Sequence, residues 1–414
     1  MQSFTFTYLL FLCGFLDFIT GESLLQEILL DTLTNIIKTD KELNDFEFPP
    51  MKFLSTPQVI EKDGYPVEVH HVQTEDGYIL ELHRIPSKNV SSLPVFLQHG
   101  ISSSSADWVI AGKGIALAYL LADQEYDVWM GNIRGNTYSK AHVSLSPSNS
   151  RFWNFSWHEM GIYDLPAMIT YVRNTTSQQL HAYIGHSMGT TVSYVMTSER
   201  PEIAERVKLF ISLAPVAFME HVKGPLRLSA PFAGNLKLLL HLLGQDELLP
   251  QNFLLQFLAG LFCDETSIQR RLCSNIAFLV TGIDNEQFNI SLIPTILEHF
   301  PAGTSTKTAI HYIQEINPGR FCKYDYGRRE NLKYYNTPEP PSYELKNIKA
   351  PFALFYAEND WLSGVEDVKK LIGLLPNIVY EELVPYSKFN HWDYLFGKNM
   401  VELVYNKILQ MLKN

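Results

Sequence analysis

Four cysteines in 414 residues are too few to build a disulfide scaffold, so a large hydrophobic core must hold this fold. Positive charge is also short, with 33 Lys and Arg against 44 Asp and Glu and no run of like charge. The resulting net charge of -11 leaves no cationic footprint and argues against nucleic acid as a partner. No apolar run reaches the ~20 uninterrupted residues of a membrane span, so no transmembrane segment is expected. There is no H-E-x-x-H, no zinc-type cysteine spacing and no phosphate-cradling glycine loop. No metal and no cofactor are therefore expected. Internal repeats and low-complexity tracts are missing too, which sets aside solenoids and disordered chains.

What the chain does contain begins with an apolar stretch from Tyr8 to Phe18, followed by Gly21. It is too short to span a bilayer and suits a secretory signal over residues 1–21, with a buried N-terminal helix as the other reading. Residues 22–50 carry the amphipathic "LLQEILLDTLTNIIK", an N-terminal helix or a removed pro-segment. Entry to the secretory pathway, ending outside the cell or in the lysosome, agrees with N-x-S/T sequons at Asn89, Asn154, Asn174 and Asn289. An oxidising compartment favours pairing of cysteines. Cys263 and Cys273 would close a short loop and leave Cys322 as a buried thiol, the alternative being that all three are free.

"PVEVHHVQTEDGYILELHRIP" reads as two alternating strands joined by Glu75-Asp76-Gly77. Six β-rich runs follow: "LPVFLQHG", "YDVWMGN", "LHAYIGHS", "VKLFISLAP", "APFALFYAEND" and "NIVYEELVPYS". Helical patterns such as "KGIALAYLLADQ" and "DLPAMITYVRN" alternate with them, which predicts an α/β fold with a mostly parallel sheet and helices on both faces. Between residues 217 and 343 the alternation fails. That segment is mainly helical, with a Tyr- and turn-rich tail, and reads as a cap inserted into one sheet. The expected organisation is a core over 51–216, the cap over 217–343 and a second core part over 344–414.

"AYIGHSMGTT" holds Ser187 between Gly185 and Gly189, as a tight strand-to-helix turn with an exposed hydroxyl requires. A serine hydroxyl needs an imidazole base, and the imidazole needs a carboxylate to orient it. In the α/β-hydrolase fold the acid and the histidine follow the serine in that order. Asp360 ends the strand run "PFALFYAEND", and His391 lies in the late loop "SKFNHWDYLFG". Asp393 and Asp164 compete as acids, but Asp393 stands too near His391 in sequence to aim back at its ring. His99 and His186 read as locally hydrogen-bonded. An oxyanion hole would take one backbone N–H from Met188, after the nucleophile, and one from Ile101, after "FLQHG".

Taken together, "FLQHGI", "YDVWMGNIRGNTYS", "GHSMGTT", "LAPVA", "PAGTS", "NDWL" and "NHWDYLFG" resemble the gastric and lysosomal acid lipase family, including its insect members. The resemblance runs from about Pro50 to the C-terminus. It implies the triad Ser187, Asp360 and His391, a helical cap carrying a lid, a disulfide in that cap, N-glycans and tolerance of acid. Met188 replaces the family's Gln and Ile101 its Leu, so the backbone donors carry over but contacts of that Gln side chain do not. The Cys263 and Cys273 pair is also spaced one residue wider than in the family.

The function expected is a serine ester hydrolase acting on neutral lipid esters, triacylglycerols or cholesteryl esters, at a lipid–water interface. A lipid-binding protein on a lipase scaffold would lack one of the three triad residues, and all are present. A hydrolase of soluble esters is the other alternative, against which the apolar cap argues.

Overall fold

The computed structural model describes residues 53–232, 246–250, 281–284 and 286–413. Residues 1–52, the pairing of Cys263 with Cys273, and most of the apolar part of the segment expected as a cap lie outside the described residues.

All the strand runs found in the sequence form strands, and their apolar alternation explains how the sheet packs. The hairpin is β1 (Glu68–Gln73) and β2 (Tyr78–Ile85), antiparallel, with Gly77 at φ 98 in the turn. The next runs are β3 (Pro94–Gln98), β4 (Asp127–Gly131) and the short β5 (Ala141–His142) beside β2. Then come β6 (Ala182–His186), β7 (Phe210–Leu213) and a two-stranded ladder of β8 (Glu247–Leu248) with β9 (Thr304–Ser305). β10 (Phe352–Tyr356) and β11 (Ile378–Leu383) complete the set. The main sheet runs β1-β2-β4-β3-β6-β7-β10-β11, antiparallel through β4 and parallel from there. β10 pairs directly with β7, so the segment between them is an excursion from one continuous sheet.

The central strands are buried throughout, and successive residues feed opposite cores, as the two-residue period of a strand dictates. Phe96, Trp129, Tyr183, Phe210 and Phe352 enter one core. Val95, Leu97, Val128, Met130, Ile184 and Phe355 enter the other. Helix α1 (Leu117–Asp123) packs on the second face. Helices α2 (Leu165–Thr176), α3 (Met188–Glu199) and α4 (Val365–Ile372) cover the first. The edge strands β1 and β11 alternate half-buried and exposed, as strands with one face in water must.

Within the Tyr-rich stretch read as turns, Arg328–Tyr335 is a helix between Gly327 at φ 85 and Asn336 at φ 59. Its Arg, Glu, Leu and Lys residues are good helix formers, and both ends carry residues suited to left-handed backbone.

Candidate active site

Ser187 sits where β6 stops and α3 starts, with φ 54 and ψ -119, a conformation costly for any residue with a side chain. The two glycines make that turn geometrically possible. A Cβ on Gly185 would lie 2.7 Å from the backbone of Gly189, and one on Gly189 only 2.3 Å from the carbonyl oxygen of Gln98. The elbow is therefore pressed against the end of β3 with no room for a methyl group. Thr190 locks it from the other side, donating its Oγ1–H to Ser187 O at 2.6 Å and accepting the Val216 N–H at 2.9 Å.

The carboxyl ends of the parallel strands converge here, the usual ligand crevice of an α/β sheet. Ser187 Oγ lies 2.7 Å from His391 Nε2. On the other side of the ring, Nδ1 lies 2.9 and 3.0 Å from the Asp360 carboxylate oxygens. A carboxylate at Nδ1 fixes the proton there and leaves the Nε2 lone pair facing the serine hydroxyl. Asp360 is itself fixed, accepting the N–H groups of Leu362 at 2.9 Å and Ser363 at 2.8 Å. Exposures of 6, 2 and 1% for Ser187, His391 and Asp360 keep the array out of bulk water, which would weaken such interactions.

The histidine loop is held by residues far away in sequence. His391 N donates to Thr281 O at 3.2 Å, and His186 Nε2–H donates to His391 O at 2.8 Å. Asn390 Nδ2 donates to Gly282 O at 2.9 Å, while its Oδ1 accepts from Trp392 N and Asp393 N. Asn359 Nδ2 bridges to Ile283 O and Lys388 O, tying the Asp360 loop to the His391 loop. Sequence reading missed these supports. The Asn390 and Asp393 pair is legible afterwards as an N-x-x-D turn, in which Asp393 Oδ2 accepts the Asn390 N–H at 2.7 Å.

The competing residues take other positions. Asp164 accepts from Arg134 N at 3.0 Å and Nε at 2.7 Å, a buried ion pair extended by Asp76 on Nη1 and Nη2. Asp393 pairs locally, accepting the Asn390 N–H, and does not reach the His391 ring as an acid. His186 is held neutral by burial and then by neighbouring His391, so it is a donor to that loop and no base. His99 accepts from Ile133 N and Asn136 Nδ2 and places its Nδ1–H on Gly100 O at 2.7 Å. Burial brings its pKa down to about 4, so it too is a neutral strut.

That strut orients the loop bearing Ile101. Gly100 stands so close that a Cβ there would lie 3.2 Å from Ser187 Cβ. Met188 N opens α3 and is one of the N–H groups without an intrahelical acceptor. Met188 thus directly follows Ser187, and Ile101 follows Gly100, which stands against Ser187.

Among the described residues no helix is long and apolar enough to cross a membrane. Of the sequons, Asn89, Asn154 and Asn174 are exposed and Asn289 is half-buried. Cys322 is buried and free.

Comparison with known proteins bears on the family and the fold. A family model described as the alpha/beta hydrolase fold matches residues 94–398, and one described as a partial alpha/beta-hydrolase lipase region matches 56–112. Lipase 3 of Drosophila melanogaster is 46% identical over 361 residues, covering 86% of this chain and 92% of that protein. Bovine (Bos taurus) gastric triacylglycerol lipase is 37% identical over 375 residues, 88% of this chain and 92% of that one. Human (Homo sapiens) lysosomal acid lipase/cholesteryl ester hydrolase is 38% identical over 371 residues, again 88 and 92%. Among solved structures, a protein described as a lipase candidate from Sulfolobus solfataricus superposes with TM-score 0.55 at 14% identity, covering 84% of this chain and 93% of that one. That likeness concerns the fold alone.

Proposed function

The chain belongs to the gastric and lysosomal acid lipase family of α/β hydrolases, and from that premise we propose that it hydrolyses neutral lipid esters with Ser187, His391 and Asp360 as its catalytic triad. The observation carrying the assignment is the unbroken chain from Ser187 Oγ through the His391 ring to Asp360, at 2.7 and 2.9 Å.

In the proposed reaction His391 Nε2 takes the hydroxyl proton as Ser187 Oγ attacks the ester carbonyl carbon. The oxyanion accepts the N–H groups of Met188 and Ile101, preorganised donors of the kind worth about 10²–10³ each in rate. Collapse breaks the bond to the alcohol oxygen, which leaves with the proton from His391, and Ser187 keeps the acyl group. Water then gives a proton to His391 and attacks the acyl-enzyme, and the fatty acid departs as Ser187 recovers its proton. Asp360 stays ionised throughout and stabilises the imidazolium.

Triacylglycerols and cholesteryl esters are the proposed substrates, in keeping with the names of the bovine and human relatives. Residues 217–343 are proposed as a cap with a lid. The 6% exposure of Ser187 supports this, because substrate entry needs part of the chain to move. Each Leu or Phe moved onto lipid contributes about 1.5–3 kcal/mol, so a few suffice to open a closed lid. We also propose a removed signal over 1–21, glycans at the four sequons and a secreted or lysosomal destination.

The test is turnover of one ester series, with triolein and a cholesteryl ester beside it, below and above the solubility limit. Rates should climb as substrate passes saturation. A smooth hyperbola with preference for dissolved esters would overturn the lipid-ester reading.

A further inference from the structure

A second carboxyl pair lies beside the triad without belonging to it. Asp284 and Asp393 are both fully buried. Asp393 Oδ2 accepts the Asn390 N–H, and Asp284 Oδ1 accepts the N–H groups of Glu286 at 2.8 Å and Gln287 at 2.9 Å. The remaining oxygens, Asp393 Oδ1 and Asp284 Oδ2, are buried and receive no N–H or O–H donor. They belong to two segments joined by Asn390 Nδ2 to Gly282 O and by His391 N to Thr281 O, and the charge of Asp284 acts on Asp393. Two buried carboxylates side by side cannot both ionise. One proton between them replaces that repulsion with a charge-assisted O–H···O⁻ bond.

We propose that Asp284 and Asp393 share one proton, and that this bond is a positioning device holding the His391 loop where Nε2 reaches Ser187. It rests on the reading of His391 as the base. Two backbone-directed bonds stitch that loop to residues 281–284, His391 N to Thr281 O and Asn390 Nδ2 to Gly282 O, and the proposed carboxyl bond is the third link. Only the third can be broken by losing a proton. Because Asp393 Oδ2 grips the N–H of Asn390, the residue before His391, the loss is felt at the base itself.

The surroundings keep the proton in place. Burial, followed by Asp284 and Asp360, pushes the Asp393 carboxyl up to about 8 against the opposing Asn390 N–H. Also facing the pair are Tyr386, pushed up to about 12, and Tyr394, pushed well above its usual range, so both stay neutral. The neighbouring cation, Lys388, is exposed and paired with Glu286. The sign follows from the raised value. The folded chain keeps a proton that the unfolded chain releases near pH 4, so this stabilisation is full below that and lost as pH rises through about 8.

The experiment compares kcat and thermal melting from pH 4 to 10 for the full chain, D284N, D393N and D284A, on a dissolved short ester, with S187A as blank. An amide at either position donates its N–H permanently and cannot release it. Wild-type turnover should fall above about pH 8, whereas D284N and D393N should carry that limb at least one unit higher. D284A, with no donor, should lose kcat at every pH with little change in KM. Melting temperatures should decline from pH 5 to 9 more steeply in wild type than in either amide variant. Both amide variants keeping the wild-type limb and slope would overturn the proposal, and should one fail to fold, the other decides. Turnover surviving in S187A would overturn the assignment of Ser187 instead, and the melting slopes would then decide the shared proton alone.

Discussion

Gly189→Ala puts the elbow to a quantitative test. The new Cβ would sit 2.3 Å from Gln98 O and 3.0 Å from His99 O, where ordinary contact begins near 3.4 Å. Relief demands about 1 Å of separation between the start of α3 and the end of β3. Neither side is a flexible side chain, since one is helix backbone and the other the carbonyl row leading into Gly100 and Ile101. Overpacking of this sort costs about 1–3 kcal/mol. The functional penalty is larger, because Ser187 and both oxyanion donors ride on the two parts being pushed away from each other. A misplacement of about 1 Å costs on the order of 10²-fold in rate. We expect kcat on a dissolved short ester to fall about 100-fold while the melting temperature drops by only several degrees. Gly373→Ala is the control, because its Cβ would meet only Lys369 O and Lys370 O at 3.6 Å and should leave both quantities alone. A Gly189→Ala protein with kcat within threefold of wild type would refute the close-approach argument.

Other substitutions separate chemistry from support. Asp360→Asn should retain the fold but favour the wrong imidazole tautomer, lowering kcat by about 10⁴-fold; a loss under tenfold would remove Asp360 from the triad. Met188→Gln should change kcat less than tenfold, because the residue is expected to offer only its N–H, and a loss of about 10²–10³-fold in a folded protein would show that the thioether matters. Asp164→Asn should leave Arg134 buried with half its charge compensation and destabilise the fold by about 3 kcal/mol without altering kcat. A kcat defect at unchanged melting temperature would contradict that purely structural role. Non-reducing peptide mapping should find Cys263 joined to Cys273 and Cys322 alkylated only after unfolding, whereas a bond to Cys322 would refute the pairing.

Much of this arrangement is legible in the chain, and the reasons are local. β3, β4, β6, β7, β10 and β11 each announce themselves as a short apolar run closed by a turn residue. The proposed triad is legible because each member needs a fixed context: glycines around Ser187, a strand end before Asp360, a late loop for His391. The supports are not legible in the same way. Asp284 and Asp393 stand more than a hundred positions apart, and no period or spacing links them. Thr281 O, Gly282 O and Asn359 join the histidine loop through backbone groups that every residue type possesses. The Arg134 and Asp164 ion pair is equally silent, since each residue alone reads as an ordinary surface charge. The helix at Arg328–Tyr335 was masked by the Tyr and Gly residues around it, which signal turns when taken one at a time.

The central claim, that Ser187 carries the acyl group, is tested most directly by covalent trapping. A long-chain alkyl phosphonate ester, which attaches to an activated serine and stays there, should add one equivalent of mass to the glycosylated protein. Peptide mapping should place the adduct on Ser187, and labelling should proceed in step with loss of turnover. S187A should take up no label and hydrolyse no ester. Label on another residue, or turnover surviving in S187A, would contradict the account.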